Sequence, residues 1–89
     1  MYKVVFKKRV LSFLIKHKWE KVIDVFYLCT EIMKNKPFDN SLDIKKLKNS
    51  KTWQYRLRIW KYRFLFNINN DEIKIIFVDA WSRWWIYKN

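Results

Sequence analysis

The chain has 89 residues, of which 51% are apolar and 20% aromatic, so one small domain spanning 1–89 is expected to fold without covalent staples. Twenty Lys and Arg against eight Asp and Glu leave a formal charge of +12, which calls for a polyanionic partner: nucleic acid, a membrane surface or an acidic protein. A lone Cys29 excludes an intramolecular disulfide, no apolar run approaches the ~18 residues of a membrane span, and the start "MYKVVFKKRV" lacks the apolar stretch of a signal peptide; the expected location is the cytoplasm.

In chain order, "YKVVF" (2–6) is β-branched and aromatic and reads as a strand. From Lys7 the pattern turns helical, with Val10, Leu11, Leu14 and Ile15 spaced for one face. A second helix from about Glu20 carries Val22, Val25, Phe26, Cys29, Ile32 and Met33, and "HKWEK" between the two fits only the corner of an αα-hairpin. "NKPFDNS" (35–41) stops that helix, and "LDIKKLKNSK" (42–51) reads as a basic irregular loop with at most one helical turn.

The remainder reads as a β-meander: 54–59, 62–68 and 72–78, joined by Trp60-Lys61 and by a turn at Asn70-Asp71. Two-residue connections fix the register. Ile59 then faces Tyr62, Leu57 faces Phe64, and Tyr55 faces Phe66; beyond the second turn Ile68 faces Ile73, Phe66 faces Ile75, and Phe64 faces Phe77. Both turns give the same apolar face. The expected class is α+β: an N-terminal strand and a two-helix hairpin packed on a mainly antiparallel sheet completed by the meander.

On the other face, the register sets Arg58 opposite Arg63, with Arg56 two residues along. Like charges directly opposite one another destabilise a sheet. A solvated basic face is one reading; an anion held between the guanidiniums is the other, and the convergence of three arginines favours the anion.

This order of elements resembles the RelE/ParE superfamily of toxins from type II toxin–antitoxin systems. The residues that carry the likeness are "DIKKLKNSKTWQYRLRIWKYRFLFNI", similar to the family's basic loop and Tyr-Arg-Leu-Arg hairpin, and "SRWWIYK", similar to its C-terminal Arg followed four residues later by Tyr. The resemblance implies a RelE-like fold and, by its RelE branch, a ribosome-dependent endoribonuclease that cleaves messenger RNA without a cofactor. Arg56, Arg58, Arg63 and Arg83 would meet the phosphate and its transition-state charge, and Tyr87 would orient substrate or take part in proton transfer. Lys45, Lys46, Lys48 and Lys51, with Lys7, Lys8 and Arg9, would contact RNA phosphates, which position without specifying. The implied partner is an acidic, RelB-like antitoxin. A ParE-like inhibitor of DNA gyrase, and a catalytically inactive RNA-binding member, are the alternatives.

No metal site is expected: His17 is the only histidine and reads as a surface residue, Cys29 as part of a helix core face, and the acidic residues lack ligand spacing.

Six Trp and no Gly are a further oddity, since ordinary usage of about 7% would give roughly six glycines. Trp60 stands in a tight hairpin turn, Trp19 at a helix end, and Trp53, Trp81 and Trp84 where relatives carry Gly or a junction favours it. One reading is a UGA codon that the source organism decodes as glycine. The other is an aromatic cluster for stacking on bases. The codons decide: UGG at all six removes the first reading.

Overall fold

The computed structural model describes residues 1–48 and 53–82. β1 (Lys3–Phe6) leads into α1 (Lys8–Lys16) and α2 (Lys21–Asn35); β2 (Ile44–Lys46), β3 (Tyr55–Ile59), β4 (Tyr62–Asn69) and β5 (Lys74–Ser82) follow. The five strands form one sheet in the order β1-β5-β4-β3-β2, with β1 parallel to β5 and the other pairs antiparallel. The expected strand, hairpin and meander are all present.

Both helices cover one sheet face. Phe26 of α2 stacks on Phe64 of β4 with ring centroids 4.2 Å apart, and Phe13 of α1 meets the same ring edge-on at 5.3 Å. Leu57, Ile59, Phe66, Ile75 and Phe77 complete a continuous aromatic and aliphatic core. On α1 the buried residues are Val10, Phe13 and Leu14, whereas Leu11 and Ile15 are exposed. The buried stripe lies about one position away from the expected one, because Phe13 is the side chain long enough to reach across to β4. On α2, Ile23 and Thr30 join Val22, Phe26 and Met33 in the interior.

Three further corrections follow from backbone geometry. The stretch 42–51 contains a strand in place of a helical turn: Ile44, Lys45 and Lys46 pair with Leu57, Arg56 and Tyr55. Leu42 and Ile44 pack against the core while Asp43 and Lys45 alternate with them, a two-residue period too short to stand out among the lysines. The β4–β5 connection is a four-residue loop, not a two-residue turn, held by Asn69: its Oδ1 accepts from the Glu72 N–H at 3.0 Å, and its Nδ2 donates to Glu72 at 2.9 Å. The pairing therefore slides by two, so that Ile68 faces Ile75 and Phe66 faces Phe77. An even slip preserves the buried face, which is why the expected core survives a wrong register.

The last correction is a bulge. Phe66 pairs with Phe77 but Leu65 with Asp79, so Val78 is the extra residue. Without it Asp79 would lie opposite Phe64, in the core. With it Ala80 takes that place and Asp79 turns to the other face.

Among the described residues, positive φ occurs at Trp60 (54°) and Ile73 (54°). Trp60 is the first central residue of the β3–β4 hairpin, the position a type II′ turn gives to glycine. Trp19, Trp53 and Trp81 lack this geometry, so positive φ demands glycine at one of the expected sites and not at those three; Trp84 lies outside the described residues. Ile73 is a β-branched residue in the same conformation, at a site the sequence did not mark. A left-handed residue with a Cβ costs roughly 1–2 kcal/mol, part of which glycine returns as chain entropy. Trp60→Gly and Ile73→Gly are therefore each expected to raise stability by up to about 1 kcal/mol, read as a shift in the urea midpoint with unchanged slope. A fall in midpoint for both would contradict the assigned turn geometry.

Candidate anion site on the arginine face

The face of the sheet away from the helices collects cations from three strands. Arg58 pairs with Arg63 across β3–β4, as expected, and Lys45 pairs with Arg56 across β2–β3. The structure places Asp43 in this row too. Its carboxylate accepts from Arg58 Nε at 2.6 Å and lies 3.5 Å from an Arg56 guanidinium nitrogen, while its carbonyl accepts from the Arg58 N–H at 2.9 Å. An internal carboxylate thus offsets part of the repulsion that suggested a bound anion.

The three arginines differ in their surroundings. The Arg58 side chain is 51% exposed and that of Arg56 13%. Arg63 is buried at 3%, and its Nη1 donates to the carbonyls of Trp60 at 3.2 Å and Tyr62 at 3.3 Å. Arg63 therefore braces the hairpin turn, and Arg58 is the cation best placed to meet a solute. Leu65 and Asp79 are also buried on this face. Trp81 pairs with Arg63 and meets Trp53 edge-on at 5.7 Å.

Of the other residues singled out from sequence, Lys45 shares the arginine face and Lys46, one residue on, points to the opposite one. Lys48 is exposed after β2. Lys7 and Lys8 are exposed at the start of α1, and Arg9 is committed to Asp79 at 2.8 Å. Arg83, Tyr87 and Lys51 lie outside the described residues. No group of three metal-ligating side chains occurs among the described residues. No helix among them is long and apolar enough to cross a membrane.

Sequence reasoning missed a polar cluster at the helical corner. Glu20 accepts from the Tyr62 hydroxyl at 2.7 Å and is hydrogen-bonded to His17 Nδ1, while the His17 ring packs on Phe13 with centroids 4.3 Å apart. His17 is accordingly half-buried rather than a plain surface residue; the spacing of His17 and Glu20 across a short corner was the available signal. The bonds from His17 and then Tyr62 hold the Glu20 carboxyl below its ordinary value of 4.5. Burial, and then Glu20, push the Tyr62 phenol above 10.0. A lowered acid stabilises the fold above its unfolded pKa and loses that contribution as pH falls through the folded value. A raised phenol stabilises below 10.0 and loses it as pH rises through its folded value. The Glu20 contribution should therefore be lost as pH falls below 4.5, and that of Tyr62 as pH rises above 10.0. Tyr62→Phe is expected to remove the alkaline fall; an unchanged profile of melting temperature against pH would contradict the linkage.

The solved structures that this chain resembles agree on its fold. No protein-family model matches the sequence, and no curated protein matches it either. Among solved structures, the archaeal RelE–RelB complex from Pyrococcus horikoshii superposes with a TM-score of 0.75 at 24% identity, covering 92% of this chain and 94% of that one. The RelB–RelE antitoxin–toxin complex from Methanococcus jannaschii gives 0.73 at 29% identity over 94% and 95%. The isolated E. coli RelE toxin gives 0.71 at 13% identity over 92% and 84%. The architecture is that of a RelE-type toxin, two helices on a five-stranded mixed sheet. The likeness to RelE read from the sequence is borne out: this chain is RelE-like, similar to toxins of type II toxin–antitoxin systems.

Proposed function

We propose that this chain, acting as a single 1–89 domain in the cytoplasm, is the toxin of a type II toxin–antitoxin system and cuts messenger RNA on the ribosome. The observation that carries this reading is the row of cations on one sheet face of a RelE fold, with Arg58 half in solvent and opposite Arg63. In the reaction, the ribose 2′-hydroxyl loses its proton and attacks the adjacent phosphorus. The bond to the 5′-oxygen breaks, leaving a 2′,3′-cyclic phosphate and a 5′-hydroxyl once that oxygen is protonated. Arg58, supported by Arg56 and with Arg83 beyond the described residues, stabilises the charge gathering on the phosphoryl oxygens. Tyr87 serves in alignment or proton transfer. Alignment by the ribosome supplies the orientation that a chain with a single histidine does not provide through a His pair.

The partner in the cell is an acidic, RelB-like antitoxin, in keeping with the solved complexes of similar toxins. Exposed Leu11 and Ile15 on α1, and Leu28 on α2, offer it apolar contacts on a strongly basic body. The purified chain is tested on translating ribosomes programmed with a defined message, with cleavage mapped by primer extension. Breaks confined to the ribosomal A site support the reading. Intact message combined with inhibited gyrase supercoiling would replace it with a ParE-like activity.

A further inference from the structure

A second basic surface lies apart from the arginine face. β1 pairs with β5 only through residues 74–77, yet β5 continues to Ser82, and α1 runs beside that extension. Between them is a groove of about 650 Å³. Lys8, Ser12 and Lys16 line it from α1 at a four-residue spacing that puts them on one helical stripe, and Lys61 lines it from the hairpin turn. Lys8 and Lys16 are eight residues apart, about 12 Å along the helix axis. Arg9 and Asp79 neutralise one another at 2.8 Å, which leaves three exposed lysines facing the groove, none of them in a salt bridge among the described residues.

We propose that this groove is a second track for single-stranded RNA, holding the backbone of message or ribosomal RNA beyond the reacting nucleotide. The proposal rests on the nuclease reading for the identity of the strand, and on the groove itself for the phosphate-binding role. Two observations favour RNA over an acidic peptide. Trp81 borders the groove and pairs across the sheet with Arg63, which itself stands opposite Arg58, so the groove adjoins the end of the arginine face where Arg58 is exposed. The Arg9 guanidinium lies 5.8 Å from the centre of the Trp81 ring, so the wall combines a planar cation and an aromatic, the pairing on which bases stack. Lysines meet phosphates as point charges without selecting sequence, which suits a track and not a reading site.

The test uses the full chain and a short fluorescent oligouridine, with affinity followed by anisotropy across a potassium chloride series. Lys8→Gln/Lys16→Gln/Lys61→Gln is compared with the unchanged protein and with Arg58→Gln. If the three lysines each hold a phosphate, the log–log salt slope becomes shallower by about two, at roughly 0.7 for each single-strand phosphate left without its lysine. The same change should appear when the substitutions are made in the Arg58→Gln background. All three side chains are exposed, and an unchanged far-ultraviolet spectrum and melting temperature confirm that folding is intact. An unaltered slope in the triple variant overturns the proposal. So does a glutamate-rich peptide that competes at lower concentration than unlabelled RNA of equal charge, which would assign the groove to an acidic protein. A shallower slope in a protein that leaves ribosome-bound message uncut keeps the groove and counts against the nuclease reading alone.

Discussion

Arg58→Ala is expected to lower message cleavage on the ribosome by about 100- to 1,000-fold, the usual cost of removing one donor from developing transition-state charge. Growth arrest by the expressed protein should disappear with it. Its side chain is 51% exposed and its fixed partner is the similarly accessible Asp43, so the fold loses little: exposed pairs contribute about 0.2–1 kcal/mol. Arg63→Ala should behave differently. That guanidinium is buried and donates to two turn carbonyls, and hydrogen bonds to charged groups are worth about 1.5–3 kcal/mol, so activity and melting temperature should fall together. The pair of variants separates a chemical role from a bracing role on one face. Cleavage by Arg58→Ala at the unaltered rate would remove the arginine face from the mechanism. Asp43→Asn is a companion measurement. If the Asp43 carboxylate competes with a phosphate for Arg58, inorganic phosphate should bind this variant a few-fold more tightly, in line with the small energy of an exposed pair. Equal or weaker binding would mean that Asp43 organises the site.

Phe26→Ala should lower the unfolding free energy by about 3–5 kcal/mol. Phe26 is fully buried, stacked on Phe64 at 4.2 Å, edge-on to Phe77 at 5.0 Å and 5.7 Å from Phe6. It touches the centre of the sheet and the strand that closes its far edge, so the cavity left behind cannot be filled by one neighbour moving. Domains of this size hold only about 5–15 kcal/mol in total, and the change should leave a substantial unfolded fraction at growth temperature. Urea unfolding followed by tryptophan fluorescence measures it. A loss below about 1 kcal/mol would mean that the α2–sheet interface is not the stabilising centre of the fold.

Phe26 also marks how far local patterning reaches. The two helices, the meander and its apolar face are legible along the chain, because side-chain period is a local property: 3.6 residues per turn on α2, two on β3 and β4. The Arg58–Arg63 pairing is legible for the same reason, since a two-residue connection leaves a hairpin no other register. Whatever depends on distant partners is not. The slide of β5 follows from Asn69 bonding Glu72 across a loop, the bulge at Val78 from the cost of setting Asp79 against Phe64, and the buried stripe of α1 from the reach of Phe13 to β4. At the site, sequence reasoning brought Arg56, Arg58 and Arg63 to one face but could not weigh them. Burial assigns Arg63 to the turn carbonyls, and Asp43 joins Arg58 only once β2 pairs with β3. A charge's partners are set by whatever the fold carries to within a few ångströms of it, and no periodicity along the chain encodes that.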